Sequence, residues 1–122
     1  MKSLLLVAHG SRRASSNDEV RQLAAKLASQ AGNRYHSVNC AFLELAEPSI
    51  PDGIEACIRT GAEEVVVLPY FLSAGRHVIE DIPREIAGKQ KEYPQVLIHL
   101  APYLGSAEGI IELLLGVANE PG

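Results

Sequence analysis

Apolar runs that do not alternate constrain this chain more than any other feature. Leu4-Leu5-Leu6-Val7-Ala8 and Val65-Val66-Val67-Leu68 are apolar at every position. A strand with one wet face carries a polar residue at every second place. A run apolar throughout has both faces covered, which is the mark of a parallel sheet held between helices. Residues 37–43 and 96–100 supply two further strands, and a helical pattern follows each strand. The expected fold is α/β: a four-stranded parallel sheet with helices on both faces, in one domain over residues 1–122. The run at 65–68 is β-branched and uncharged, so it is placed centrally.

Local signals set the expected helix limits. Ser16-Asn17-Asp18-Glu19 reads as a capping box, with Val20, Leu23, Ala24, Leu27 and Ala31 as the inner stripe and Gly32 as a left-handed cap. A second helix starts at Ser49 with Pro51 and Asp52 in its first turn, turns Ile54, Cys57 and Ile58 inward, and stops at Gly61. Asp81 is expected to cap a third, with Pro83 in its first turn and Pro94 closing it. The last helix runs from Ser106 to about Ala118, and Ile110, Ile111, Leu113, Leu114, Leu115 and Val117 leave it almost no polar face. Such a helix is buried on more than one side. It either packs tightly on the sheet or forms a dimer interface.

Charge and motif content exclude several classes. A net charge of −4 argues against nucleic acid as the partner. Arg12, Arg13 and Arg76 nevertheless cluster in sequence around His9 and His77, a local cationic patch suited to an anionic small molecule. Cys40 and Cys57 lack zinc spacing and read as small core residues without a metal or redox role. No stretch approaches the ~20 apolar residues of a membrane span. The first apolar run is too short for a signal-peptide core, so the expected location is cytoplasmic. No Gly-x-x-x-x-Gly-Lys-Ser/Thr, Gly-x-Gly-x-x-Gly or Gly-x-Ser-x-Gly occurs, which disfavours ATP, dinucleotide and serine-hydrolase chemistry.

Open parallel sheets bind ligands beyond the carboxyl ends of their strands. The first strand ends in His9-Gly10-Ser11-Arg12, the second in Glu44-Leu45-Ala46-Glu47-Pro48, and the third runs through Ser73-Ala74-Gly75-Arg76 to His77. The topology therefore gathers His9, His77 and Glu44 or Glu47 at one rim. Two imidazoles and a carboxylate suit a borderline divalent metal such as Co²⁺, Ni²⁺, Fe²⁺ or Zn²⁺. A lone histidine at a strand end is more often a hydrogen-bonded structural residue, and His36 and His99 keep that reading.

Leu6-Val7-Ala8-His9-Gly10-Ser11-Arg12, Phe42-Leu43-Glu44-Leu45 with Glu47-Pro48, Val67-Leu68-Pro69-Tyr70-Phe71-Leu72 with Arg76-His77, and Asp81-Ile82-Pro83 together resemble the CbiX/SirB family of sirohydrochlorin chelatases. The resemblance implies one lobe of the class II chelatase fold. It implies ATP-independent insertion of Co²⁺, Fe²⁺ or Ni²⁺ into a tetrapyrrole, with the metal as substrate and no tightly bound cofactor. It also implies the short, single-domain form, a homodimer with its cleft between equivalent halves. Carried over by position, His9 and His77 match the family's metal-binding and proton-accepting histidines, and Glu44 its helper carboxylate. Glu47 receives no role. Arg12, Arg76 and Ser11 are expected to bind the substrate, whose many carboxylates call for cationic partners. The rival readings are a metal or tetrapyrrole carrier without turnover and a flavodoxin-like mononucleotide binder. Arg12-Arg13 fits the second poorly, because a phosphate loop there would be rich in Ser, Thr and Gly.

Overall fold

The computed structural model describes residues 1–120, the side chain of His77 apart. Strands β1 (Lys2–Ala8), β2 (Ser37–Phe42), β3 (Glu64–Pro69) and β4 (Leu97–Leu100) form one parallel sheet in the order β2-β1-β3-β4. Helices α1 (Ala14–Ala31), α2 (Ile50–Arg59) and α3 (Ile82–Glu92) connect them, and α4 (Ile110–Ala118) follows β4. From β1 the chain steps outward to β2 and then reverses across β1 to β3 and β4. Right-handed crossovers therefore put α1 on one face and α2 with α3 on the other. β1 and β3 hold the two inner places, as their unbroken apolar runs require.

The core lies under α2 and α3. Leu5, Val7, Val65 and Val67 of the inner strands are fully buried against Ile54, Cys57, Ile82 and Ile86. Each such aliphatic side chain contributes about 1.5–3 kcal/mol on leaving water. Ser49 caps α2, its hydroxyl accepting from Asp52 N at 3.3 Å. Among the described residues no helix is long and apolar enough to cross a membrane.

Four local expectations change. The helix α1 begins at Ala14, so Ser16–Glu19 forms no capping box: the Ser16 and Asn17 amides already donate to Arg13 O. Gly32 ends α1 at φ 62° but ψ −128°, outside the left-handed helical basin. Asp81 does not cap α3, because a π-helical turn, His77–Asp81, feeds the helix and leaves Asp81 itself helical. Ser106 closes a 3-10 turn, Leu104–Ser106, and α4 starts only at Ile110.

A polar staple fastens α2 to α3. Glu55 accepts from Lys89 Nζ at 2.7 Å, from Tyr93 Oη at 2.5 Å and from Arg59 Nε at 2.8 Å. Those donors, Lys89 first, hold the Glu55 carboxyl down to about 2. In the unfolded chain it returns to roughly 4.3. Because the folded value is the lower one, the staple's contribution is complete above the unfolded value. It is lost as pH falls from there through about 2. The melting temperature of the wild type should therefore fall with pH over that window more steeply than that of Glu55→Gln. Parallel melting curves for the two across the window would count against the staple.

Candidate functional site

The end of β1 carries the first functional side chain and the end of β2 the second. Their pairing continues past the strands: Leu43 N donates to Ala8 O at 3.0 Å and Glu44 N to His9 O at 3.1 Å. That backbone contact sets the two side chains next to each other, with His9 Nε2 2.9 Å from Glu44 Oε2. Both are about half exposed, at 47% and 53%, so the pair faces solvent and is open to a ligand. An ionised carboxylate only accepts, so His9 donates from Nε2 and carries its lone pair on Nδ1 when neutral. A carboxylate on one ring nitrogen orients the imidazole.

Gly10 makes this approach possible. Its φ is 95°, and a Cβ there would fall inside the Glu44 carbonyl oxygen. After Glu44 the chain turns away at once through Leu45, whose φ of 65° is uncommon for a side-chain-bearing residue. Two strand ends thus exchange a histidine and a carboxylate across a glycine.

The loop beyond His9 is bolted down by Asn17. Its Oδ1 accepts from Ser11 N at 2.9 Å, and its Nδ2 donates to Ser11 O at 2.8 Å. Asn17 is 7% exposed, a buried amide whose bonds are met within this loop. The Ser11 hydroxyl accepts from Arg13 N at 3.0 Å, so in this state it is a turn acceptor. Sequence reasoning missed Asn17 as a support, reading it only as a helix-start residue. The signal was an amide side chain six residues after a Gly-Ser turn.

His77 opens the π-helical turn beyond β3, and its side chain lies outside the described residues. Such turns, one residue wider than the α-helix, are frequent at functional sites. Val78 anchors this one in the interior, while Arg76 is exposed and 3.9 Å from Glu80. Arg12 and Arg13 are also exposed. Between the β2 loop and the start of α3 lies a cleft of about 530 Å³ lined by Glu44, Ser49, Asp81, Arg84 and Glu85 among others. Arg84 pairs with Asp81 there.

Other metal-binding residue types stand apart. His99 pairs with Glu64 at 3.0 Å, and His36 is exposed at the start of β2. Burial pushes the thiols of Cys40 and Cys57 up, away from the thiolate that binds metal. Among the described residues no group of three or more His, Cys, Asp or Glu side chains is placed to hold a metal ion, which leaves His9 with Glu44 as a pair.

The chain resembles known proteins over nearly its whole length. The CbiX family model matches residues 3–120. The sirohydrochlorin ferrochelatase of Arabidopsis thaliana chloroplasts is 38% identical over 117 residues, 96% of this chain and 49% of that protein. The sirohydrochlorin cobaltochelatase of Methanococcus maripaludis is 42% identical over 84 residues, 69% of this chain and 57% of that protein. The crystal structure of a CbiX protein from Marinobacter aquaeolei VT8 superposes with a TM-score of 0.82 at 30% identity, covering 97% of this chain and 94% of that one. The sirohydrochlorin chelatase SirB of Bacillus subtilis subspecies spizizenii, solved with cobalt, gives 0.75 at 31% identity over 94% of this chain and 48% of its own. The chain spans about half the length of the first curated relatives it matches. With a match over nearly all its residues and a shared four-stranded parallel fold, the chain belongs to the CbiX family.

Proposed function

We propose that this chain, as one chelatase-like domain, inserts a divalent metal into sirohydrochlorin or a related tetrapyrrole without ATP, and does so as a homodimer. Cobalt is the first choice of metal, with iron or nickel served by the same donors. The observation that carries the reading is the His9–Glu44 pair, 2.9 Å apart at the carboxyl edge of the sheet. The relatives' names, ferrochelatase and cobaltochelatase, support the substrate and leave the metal open.

Insertion requires the metal to shed water and two pyrrole N–H protons to leave. Imidazole is suited to both tasks because it binds borderline metals and titrates near neutrality. In the proposal His9 and His77 receive the metal at the edge and accept the two protons as it passes into the macrocycle. Glu44 offsets the metal's charge and keeps His9 oriented. The carboxylates lining the neighbouring cleft favour the approach of a cation. Arg12 and Arg76, with Ser11, dock the substrate's carboxylates.

Docking by exposed arginines has a kinetic signature. Arg12→Ala or Arg76→Ala should raise KM for the tetrapyrrole more than it lowers kcat. Added salt should weaken substrate binding in the wild type and do so less in either variant. Equal salt sensitivity in all three would remove the docking role.

The overall reading is tested by anaerobic incubation with sirohydrochlorin and Co²⁺, Fe²⁺ or Ni²⁺ in turn, followed by absorbance. Turnover well above the spontaneous rate is expected with at least one metal. Stoichiometric binding of metal or tetrapyrrole at only the spontaneous rate would mark a carrier instead.

A further inference from the structure

Glu44 belongs to a loop, residues 43–47, that leaves the sheet at Phe42 and rejoins it at once. Phe42 N donates to Pro48 O at 2.8 Å, and Phe42 bridges to Ser49 just beyond. The two ends of the loop therefore lie side by side, with the half-exposed carboxylate between them.

Arg21 of α1 touches both ends. Its Nη2 donates to Glu47 O at 3.0 Å, and its guanidinium carbon lies 5.1 Å from the centre of the Phe42 ring. Phe42 is fully buried, so the ring is a fixed wall. The other arm, Nη1, donates to Asp18 Oδ1 at 3.0 Å on the same helix and holds the planar fork in one orientation. An arginine kept for solubility alone needs none of these contacts. The Arg21 side chain is 44% exposed, against 80% for Arg76.

Asn17, the support of the His9 loop, stands four residues before Arg21 and so on the same face of α1. One helix thus carries the supports of both loops: Asn17 holds the Ser11 peptide, and Arg21 holds the Glu47 carbonyl.

We propose that Arg21 is a positioning residue: it clips the 43–47 loop to α1 and so keeps the Glu44 carboxylate against His9. This rests on the reading of His9 and Glu44 as a metal-receiving pair. Arg21 itself needs no contact with metal or tetrapyrrole. Without the clip the loop swings about its ends and Glu44 leaves His9 for solvent. The imidazole then loses its orienting acceptor, and the metal loses the charge that offsets its own.

The sign of the effect separates positioning from plain electrostatics. Removing a cation beside the Glu44 loop should, by charge alone, tighten the binding of a metal cation. Removing a positioning group should loosen it, and groups that orient metal ligands typically contribute about 10–100-fold in affinity or activity.

Co²⁺ titration of the full chain, followed by the His9 imidazole resonances, tests the clip without an activity assay. Arg21→Met keeps an apolar stem over Phe42 and removes the fork. It should bind Co²⁺ about 10-fold more weakly than the wild type, with the circular dichroism unchanged. In a Glu44→Ala background the same change should cause no such loss, because Arg21 acts through Glu44. Unchanged or tighter binding by Arg21→Met would overturn the proposal. So would an equal loss in the Glu44→Ala background, which would mark Arg21 as a general structural support. A wild type that binds Co²⁺ at His9 but inserts no metal, with Arg21→Met still the weaker binder, would support the clip and defeat the insertion reading. A wild-type His9 ring left unmoved by Co²⁺ would overturn both.

Discussion

Replacing His9 by alanine is expected to lower the rate of metal insertion by about 10²-fold or more with the fold intact. A positioned acid–base group contributes ~10²–10⁴-fold, and in the proposed reaction His9 also receives the metal. The side chain is 47% exposed, so its loss leaves no cavity in the core. Circular dichroism and the melting temperature should therefore match the wild type within a degree or two, while initial rates fall. Glu44→Gln should give a smaller loss: the amide still reaches His9 Nε2 but brings no charge to offset the metal's. His77→Ala belongs with His9→Ala in size. Wild-type turnover by both alanine variants would remove the histidines from the mechanism.

Gly10→Ala is expected to be the most damaging single methyl group in the chain. At φ 95° a side chain is strained by about 1–2 kcal/mol. The added carbon would also overlap the Glu44 carbonyl, and relieving such overpacking costs about 1–3 kcal/mol more. For a chain of this size the sum lowers Tm by roughly 10–20 °C. Whatever fraction stays folded must push the Glu44 backbone away from β1, which parts Glu44 from His9. Thermal melts and insertion assays on the same sample should show both losses. A variant with an unshifted Tm would mean that the strand ends are looser than this packing requires.

The sheet could be read from the sequence because its cause is local. Runs such as Leu4 to Ala8 have to be covered on both faces, and a parallel sheet is the structure that does so. That His9 shares a rim with Glu44 or Glu47 was readable for the same reason, since the ends of parallel strands lie together; the choice of Glu44 came only with the family resemblance, and the structure sets it 2.9 Å from His9. Helix starts were harder. Ser16 to Glu19 has the residues of a capping box, yet Asn17 bonds the Ser11 backbone six residues earlier, a partner the capping pattern does not announce. The turn at His77 resisted prediction because Asp81-Ile82-Pro83 looks like a cap and first turn whether or not a wider turn precedes it. The sequence pattern of α4 shows that the helix needs covering but not by what. None of its described residues is buried in the single chain. Its separation from its own sheet depends on Gly105 lying against the loop after β3, a contact between distant residues.

The central claim, that a metal is received at the carboxyl edge by His9 and His77, can be observed directly. The chain has four histidines, and two of them, His36 and His99, serve as internal controls. In an NMR titration of the imidazole ¹H and ¹⁵N resonances with Co²⁺, the paramagnetic ion should shift and broaden the His9 and His77 rings first. The His36 and His99 rings should hold their positions until excess metal is added. Early perturbation of His36 or His99 with His9 and His77 unmoved would contradict the claim.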